Sequence, residues 1–401
     1  MNYYRTLGAF LVLIIVCLLT GCSSLFPQGS GYQSDPAINA LVAANWRNYA
    51  VSWEGWGGEL SLFIISPKGS YYATTSSNDA NAHFRCASVT KTFTAAAIML
   101  LHQQGKLNVD DKITATIPGS TEPYVPNTPE YNIPYKDQIS IRMLLRHRAG
   151  VWDVDNEVVP ATAPVPYAGQ SYIYYTELAS AEHTYTFDEL VSVDATSQLS
   201  YFAPDTSFHY SDTGYSLLGK IIERVSGKSY GEFVSENLAA PNGLTRTTFP
   251  HLGPDTSLPA PYFTGYGYYN KTLTDATRYN ISKHVAEGNA ITTPADLASW
   301  IKRFLSGQAG LSRATVDLIT AEAASGVYGL GVSAVNGLGY GHNGGVDGYV
   351  TVARYDQKQD VAVMAFASVI NWADNTGEML MIYDTLRAAK NLLGYSTAEV
   401  Y

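Results

Sequence analysis

Ser88-Val89-Thr90-Lys91 is the part of this chain whose residue types and spacing are best suited to chemistry. A serine is a poor nucleophile at its free pKa and needs a base held against it. A lysine three residues further along a helix lies on the serine's own face. The pair could form an acyl-serine, with Ser88 as nucleophile and Lys91 as its proton partner. The plainer alternative is that Ser88 only caps the helix that follows. A cap has no use for Lys91, whose charge is costly to bury without a partner.

The helix that must hold this pair is read over residues 90–101 and stopped by Gly105. It is apolar nearly all round, so it is expected to be buried. With Ser88 in its first turn, its free N–H groups would favour negative charge developing there. The spacing of Ile38, Leu41, Val42 and Trp46 predicts a helix over 35–46. Residues 59–66 and 71–75 read as two strands joined by the turn Pro67-Lys68-Gly69. Later strands are expected at 327–335, 349–355 and 360–368, and a closing helix at 376–393. Between them come a loop at 113–135, a short helix at 139–147 and an irregular stretch at 161–175. Helices follow at 187–199, 215–225 and 230–238. The expected fold class is α/β (α+β), with a mostly antiparallel sheet flanked by helices. Residues 37–110 and 276–401 would supply the sheet, and 111–275 a mostly helical inserted subdomain. The cleft would lie at their boundary.

Bulk composition narrows the choice of partners. A chain of 401 residues that is 46% hydrophobic can bury a large core. A net charge of −10 argues against a general nucleic-acid binder, which would show a basic face. The 30 Tyr and 13 Phe suit a carbohydrate or cell-wall surface. The histidines are scattered without paired-ligand spacing, so neither metal nor cofactor is expected. His102 and His147 read as structural, and Cys86 as a buried filler. Trp152, Tyr328 and Tyr349 are candidates to line the cleft.

The first residues point to an address. Arg5 precedes an apolar run from Leu7 to Leu19 that is short for a membrane span. It ends at Leu19-Thr20-Gly21-Cys22, then Ser23-Ser24. This resembles a bacterial lipoprotein signal over 1–21, with Cys22 lipidated and 22–36 a flexible tether. An ordinary secretory signal or an N-terminal anchor helix is the alternative. The lipid would hold the protein outside the cytoplasm, on the periplasmic face of the outer membrane in a diderm host.

Three motifs in order resemble those of the serine beta-lactamase and penicillin-binding protein superfamily. They are Ser88-Val89-Thr90-Lys91, Tyr210-Ser211-Asp212 and His342-Asn343-Gly344. The segments 139–150, 225–230 and Thr292-Thr293-Pro294-Ala295-Asp296-Leu297 also match the family's habits. The nearest branch looks like class C beta-lactamases and low-molecular-weight D-alanyl-D-alanine carboxypeptidases. This resemblance implies that Ser88 forms an acyl-enzyme while Lys91 and Tyr210 share the proton work. A neighbouring ammonium would lower the Tyr210 pKa. The oxyanion hole would be the backbone N–H groups of Ser88 and Gly345. Asn343, Gly344, Gly345 and Tyr349 would meet the substrate. His342 stands where many relatives have lysine and would hydrogen-bond near Tyr210. Asp212 stands where that branch usually has asparagine. An aspartate could pair tightly with Lys91 and hold it charged.

The leading function is a DD-peptidase acting on peptidoglycan stem peptides, as a monomer tethered through Cys22. A beta-lactamase, carboxylesterase or D-amino-acid amidase on the same scaffold is the alternative. A catalytically silent cell-wall-binding homologue is the alternative of another class.

Overall fold

The structure, a computed structural model, describes residues 31–51 and 57–401. The expected signal segment, Cys22 and most of the tether lie outside these residues.

Six strands form the main sheet: β1 (Leu60–Ser66), β2 (Gly69–Thr74), β3 (Ser333–Val335), β4 (Gly339–Val346), β5 (Tyr349–Asp356) and β6 (Val361–Ala367). Their order is β2-β1-β6-β5-β4-β3, and every pairing is antiparallel. Side chains of a strand alternate between faces, and here both faces are covered. Leu62 and Ile64 point toward helices α1 (Pro36–Ala50) and α5 (Asn375–Leu392), sharing a core with Val42, Trp46, Ile382 and Leu386. Phe63 and Ile65 point the other way, into the core formed with α2 (Thr90–Gln103) and α4 (Pro294–Ser306). There Phe93 stacks on Trp300 with centroids 4.0 Å apart. The Trp300 indole N–H donates to Thr92 Oγ1 at 2.8 Å, the partner that a buried indole requires.

The central region is chiefly helix and loop. Its principal helix, α3 (Asp212–Ser226), is capped by Ser211, whose Oγ accepts from the Gly214 N–H at 3.2 Å. It stops at Gly227, in the left-handed conformation that glycine adopts without steric cost. The expected α/β class, with helices flanking an antiparallel sheet and a helical insertion, is the one observed.

Four local expectations need correction. Ser88 is not in the first turn of α2; it lies in a single 3-10 turn, Ala87–Val89, directly before it. The stretch expected to be irregular, 161–175, ends in a helix, Tyr172–Ala179, because Ser171 caps its start. The strand expected at 327–335 is confined to Ser333–Val335. Gly331 takes a φ of +77° just before it, which interrupts an extended run. A small second sheet of Tyr266–Tyr269, Thr272–Asp275 and Val369–Asn371 was not expected. Its first two strands are short and largely polar or tyrosine-rich, so they show no apolar alternation.

Candidate active site

Ala87, immediately before Ser88, adopts a φ of +51°. A non-glycine residue there costs roughly 1–2 kcal/mol, and such strain clusters at functional positions. The bend delivers Ser88 to the start of α2 without making it a cap: no side chain caps this helix. The capping alternative therefore falls away. Lys91, one turn on, reaches back, and its Nζ donates to Ser88 Oγ at 3.1 Å.

Lys91 is fully buried and far from alone. Its Nζ makes an ion pair with Asp212 Oδ1 at 2.6 Å. It also donates to Glu287 Oε2 and to the Glu287 carbonyl, each at 3.0 Å. Burial works to lower the Lys91 pKa, but Asp212, Tyr210 and Glu287 outweigh it and hold the group well above its ordinary value. Lys91 is thus an ammonium in the resting site. The other Asp212 oxygen, Oδ2, accepts from Asn156 Nδ2 at 2.8 Å, and Asn156 also donates to Asp153 at 2.9 Å. Burial, then Asp212 and Asp155, push the Asp153 carboxyl well above the carboxylate range.

Tyr210 lies across Lys91, its ring centroid 4.9 Å from Nζ. Among the described residues no group meets its buried hydroxyl with hydrogen-bond geometry, although Lys91 and Ser88 lie close enough to lower its pKa. The expected lowering by Lys91 is present but overruled. Burial pushes the phenol above its usual value, and Asp212 adds to the rise. His147, read as structural, positions this ring: it stacks on Tyr210 at 4.1 Å and accepts the Ser211 N–H at 3.1 Å.

The second wall is β4. Strand β3 pairs with it only from Gly339 to Gly341, so beyond Gly341 that edge carries no strand partner among the described residues. There it passes the nucleophile turn. A Cβ on Gly344 would lie 2.5 Å from the Cys86 carbonyl oxygen and 2.9 Å from the Ser88 nitrogen. Only a glycine permits this approach. Ser88, Tyr210, Asp212, His342, Asn343, Gly344 and Gly345 together line a cleft of about 710 Å³. Asn343 Oδ1 accepts from the buried Arg354 guanidinium.

His342 is buried and neutral. Its Nδ1 faces the Asn343 carbonyl, which can only accept, so Nδ1 carries the proton. Its Nε2 accepts from the Tyr328 hydroxyl at 2.6 Å. Burial first, then the Lys91 charge, push its pKa down to about 3. The expected link to Tyr210 is replaced by Tyr328, which also lines the cleft.

Two aromatic candidates are not at the cleft. Tyr349 is fully buried on β5, donates to the Phe263 carbonyl at 2.7 Å and is absent from the cleft lining. Its place as a substrate contact is corrected: no surface remains for a ligand. Trp152 instead stacks on Tyr201 at 4.6 Å. Cys86 is buried as expected, and burial pushes its thiol up to about 12.

The residues missed by sequence reading are Glu287, His284, Asp155, Asp153 and Asn156. Their only signal was the position of Glu287 shortly before Thr292-Thr293-Pro294. One donor atom each of Asp155, His284 and Glu287 lies within 4.8 Å of the others, a spacing that could hold a metal ion. His284 Nδ1 already sits 2.5 Å from Glu287 and 3.4 Å from Asp155. Lys91 and Lys283 both act on Asp155 as positive charges. An ion-paired imidazolium suits this setting better than a divalent cation.

Residues 30–379 match the family model described as Beta-lactamase. The chain belongs to this family. It is 31% identical over 167 residues to penicillin-binding protein 4* of Bacillus subtilis (strain 168), spanning 42% of this chain and 30% of that one. It is 29% identical over 222 residues to a putative D-alanyl-D-alanine carboxypeptidase of Escherichia coli (strain K12), spanning 54% and 44%. These matches cover less than half the length of either relative. Among solved structures, a D-stereospecific amidohydrolase from Streptomyces sp. superposes with a TM-score of 0.72 at 23% identity, covering 88% of this chain and 99% of that one. D-amino acid amidase from Ochrobactrum anthropi SV3, complexed with D-phenylalanine, gives 0.69 at 20% identity, covering 90% and 100%. At such identities these two show the shared fold.

Proposed function

We propose that this protein is a serine acyl hydrolase that forms an acyl-enzyme at Ser88 and acts on peptidoglycan stem peptides as a DD-peptidase. The observation that supports it most is Lys91 Nζ, 3.1 Å from Ser88 Oγ, at a cleft walled by Tyr210 and the open edge of β4. In this reading Ser88 Oγ attacks the scissile carbonyl, and its proton passes to Tyr210 Oη as the Tyr210 proton moves on to the leaving nitrogen, while Lys91 stays an ammonium. The backbone N–H groups of Ser88 and Gly345 receive the oxyanion. The C–N bond then breaks and the protonated amine leaves, and water, giving up a proton through Tyr210 to the returning Ser88 Oγ, releases the acyl group. Asn343 and Gly344 align the substrate along β4. Cys22 carries the lipid that holds a monomer at the envelope. Among the described residues no helix is long and apolar enough to cross a membrane.

A second reading, an amidase, is favoured by one feature of the cleft. The acidic residues lining it are Asp153, Glu157 and Asp212, and among the described residues no lysine or arginine lines it. His342 is neutral. A peptide ending in a free carboxylate meets acidic side chains and no lysine or arginine on that lining, whereas an amide meets no such repulsion.

The test is a pair of peptides ending in D-alanyl-D-alanine, one with a free carboxylate and one with a carboxamide, alongside penicillin and a simple ester. Release of D-alanine from the free acid supports the DD-peptidase. Turnover of the carboxamide alone moves the assignment to an amidase. Rapid penicillin hydrolysis indicates a beta-lactamase, and ester turnover alone an esterase. No product from any of them, with Ser88 unlabelled, sinks the acyl-hydrolase reading in favour of a silent homologue.

A further inference from the structure

Glu287 is held more firmly than a loop residue needs to be. It follows Ala286, which takes a φ of +71°, a conformation as strained as that of Ala87 before Ser88. The Ala286 carbonyl accepts from Thr94 Oγ1, and the Ala290 N–H donates to Thr90 Oγ1 at 3.0 Å. Thr90 and Thr94 belong to α2, the helix that carries Lys91. One helix thus grips the loop on both sides of Glu287 and presents Lys91 to it.

Glu287 supplies two of the four oxygens around the Lys91 ammonium: its carbonyl and Oε2. The others are Ser88 Oγ and Asp212 Oδ1. An ammonium has only three protons, so these oxygens compete. The second carboxylate oxygen of Glu287, Oε1, lies 2.5 Å from His284 Nδ1. The contacts run unbroken from Ser88 through Lys91 and Glu287 to His284 and Asp155. Ser88, Glu287 and His284 also border one cavity of about 170 Å³, separate from the wall of β3.

Resting on the reading of Ser88 as the acylated residue, we infer that Glu287, oriented by His284 and Asp155, is a positioning residue for the Ser88–Lys91 pair. Through it, acylation responds to the charge on His284. With His284 protonated, Glu287 is shared between two cations, and the set Lys91, Asp212, Glu287 and His284 is neutral. With His284 neutral, the carboxylate acts on Lys91 alone and the set carries one net negative charge beside the developing oxyanion. Acylation then slows. The groups facing His284 are Asp155, Glu287, Lys283 and Tyr279. Burial works to lower its pKa, but Asp155 and Glu287 outweigh it, so it titrates above its ordinary 6.5.

The experiment measures Ser88 labelling by a fluorophosphonate, and kcat and KM for an activated ester, from pH 5 to 9. Wild type, Glu287→Gln and His284→Gln are compared, with Ser88→Ala as the control. The His284 ring is followed by NMR in wild type and Glu287→Gln. The expected wild-type rate falls along a limb above pH 6.5. Glu287→Gln lowers kcat by about tenfold, with KM little changed, and removes the limb. His284→Gln removes the same limb. The His284 titration moves down in Glu287→Gln. A wild-type profile in both variants overturns the inference, as does a His284 titration that ignores Glu287. Absence of label on wild type overturns the Ser88 reading and the acylation clause with it. The ring titration, which needs no activity and no folded variant beyond Glu287→Gln or Glu287→Asp, still decides whether Glu287 couples to His284.

Discussion

Lys91 Nζ stands 2.6 Å from Asp212 Oδ1 while it reaches Ser88 Oγ at 3.1 Å. The group nearest the nucleophile is therefore a clamped ammonium, not a free amine. It cannot take the Ser88 proton until one of its own has moved. That places Lys91 first as a donor and electrostatic anchor, and leaves Tyr210 as the group whose proton must shift during acylation.

The Asp212 partnership can be weighed directly. Asp212→Ala leaves a buried ammonium short of a carboxylate and should cost about 3–5 kcal/mol of unfolding free energy. Asp212→Asn should cost less, because Glu287 still faces Lys91. Asparagine also offers a donor that ionised aspartate lacks. Penicilloyl-Ser88 should form about tenfold faster in Asp212→Asn, read by intact mass against time. An unchanged rate contradicts the role given to the carboxylate.

Tyr210→Phe separates chemistry from stability. The resting hydroxyl has no partner of hydrogen-bond geometry, so its loss should change stability by less than about 1 kcal/mol. Acyl transfer should fall by about 10²–10⁴-fold, the usual scale for a positioned acid–base group. Ester turnover and denaturant unfolding on the same samples check both halves. A fall in stability without a fall in rate would reverse the assignment.

His342 gives a pH signature in stability. Its folded pKa is about 3, below the ordinary 6.5 of an unfolded chain. The unfolded state binds the extra proton in that window. The contribution of His342 is therefore complete above pH 6.5 and is lost as pH falls toward 3, at about 1.4 kcal/mol per pH unit. His342→Gln should flatten this part of the unfolding free-energy curve. It should leave the activity profile from pH 5 to 8 without a new limb, since His342 is already neutral there. A limb in that range that vanishes in His342→Gln would show a protonated ring.

Gly344 tests the approach of β4 to the nucleophile turn. The alanine Cβ would meet the Cys86 carbonyl oxygen at 2.5 Å, the Ala87 Cβ at 2.8 Å and the Ser88 nitrogen at 2.9 Å. Two of these neighbours are backbone, so the strand or the turn must move. Gly344→Ala should lose about 1–3 kcal/mol of stability and at least about 10²-fold in acylation, since misplacement by an ångström costs that much. Near wild-type labelling would contradict so close an approach.

The elements that place the nucleophile were legible because their patterns are strong. The apolar run of α2 and the strand around Val361–Ala367 need no tertiary context to be recognised. Ser88, Lys91, Tyr210 and Asp212 were found from motif and order, and the structure brings them together. Glu287 and His284 were not found, because a lone carboxylate in a loop gains meaning only when folding brings α2 against it. Tyr349 was misplaced because a tyrosine beside a glycine-rich motif looks the same whether it faces the cleft or the core. The Tyr210 pKa was misjudged in sign because sequence shows the neighbouring ammonium but not the burial that outweighs it.

The most direct test of the account is the intact mass of residues 37–401, wild type and Ser88→Ala, after mixing with an activated ester, penicillin and a D-alanyl-D-alanine peptide. Wild type should gain one acyl group, mapped to the peptide containing Ser88, and Ser88→Ala should gain none. An adduct that survives in Ser88→Ala, or a wild type that turns over substrate without ever carrying one, would contradict an acyl-enzyme at Ser88.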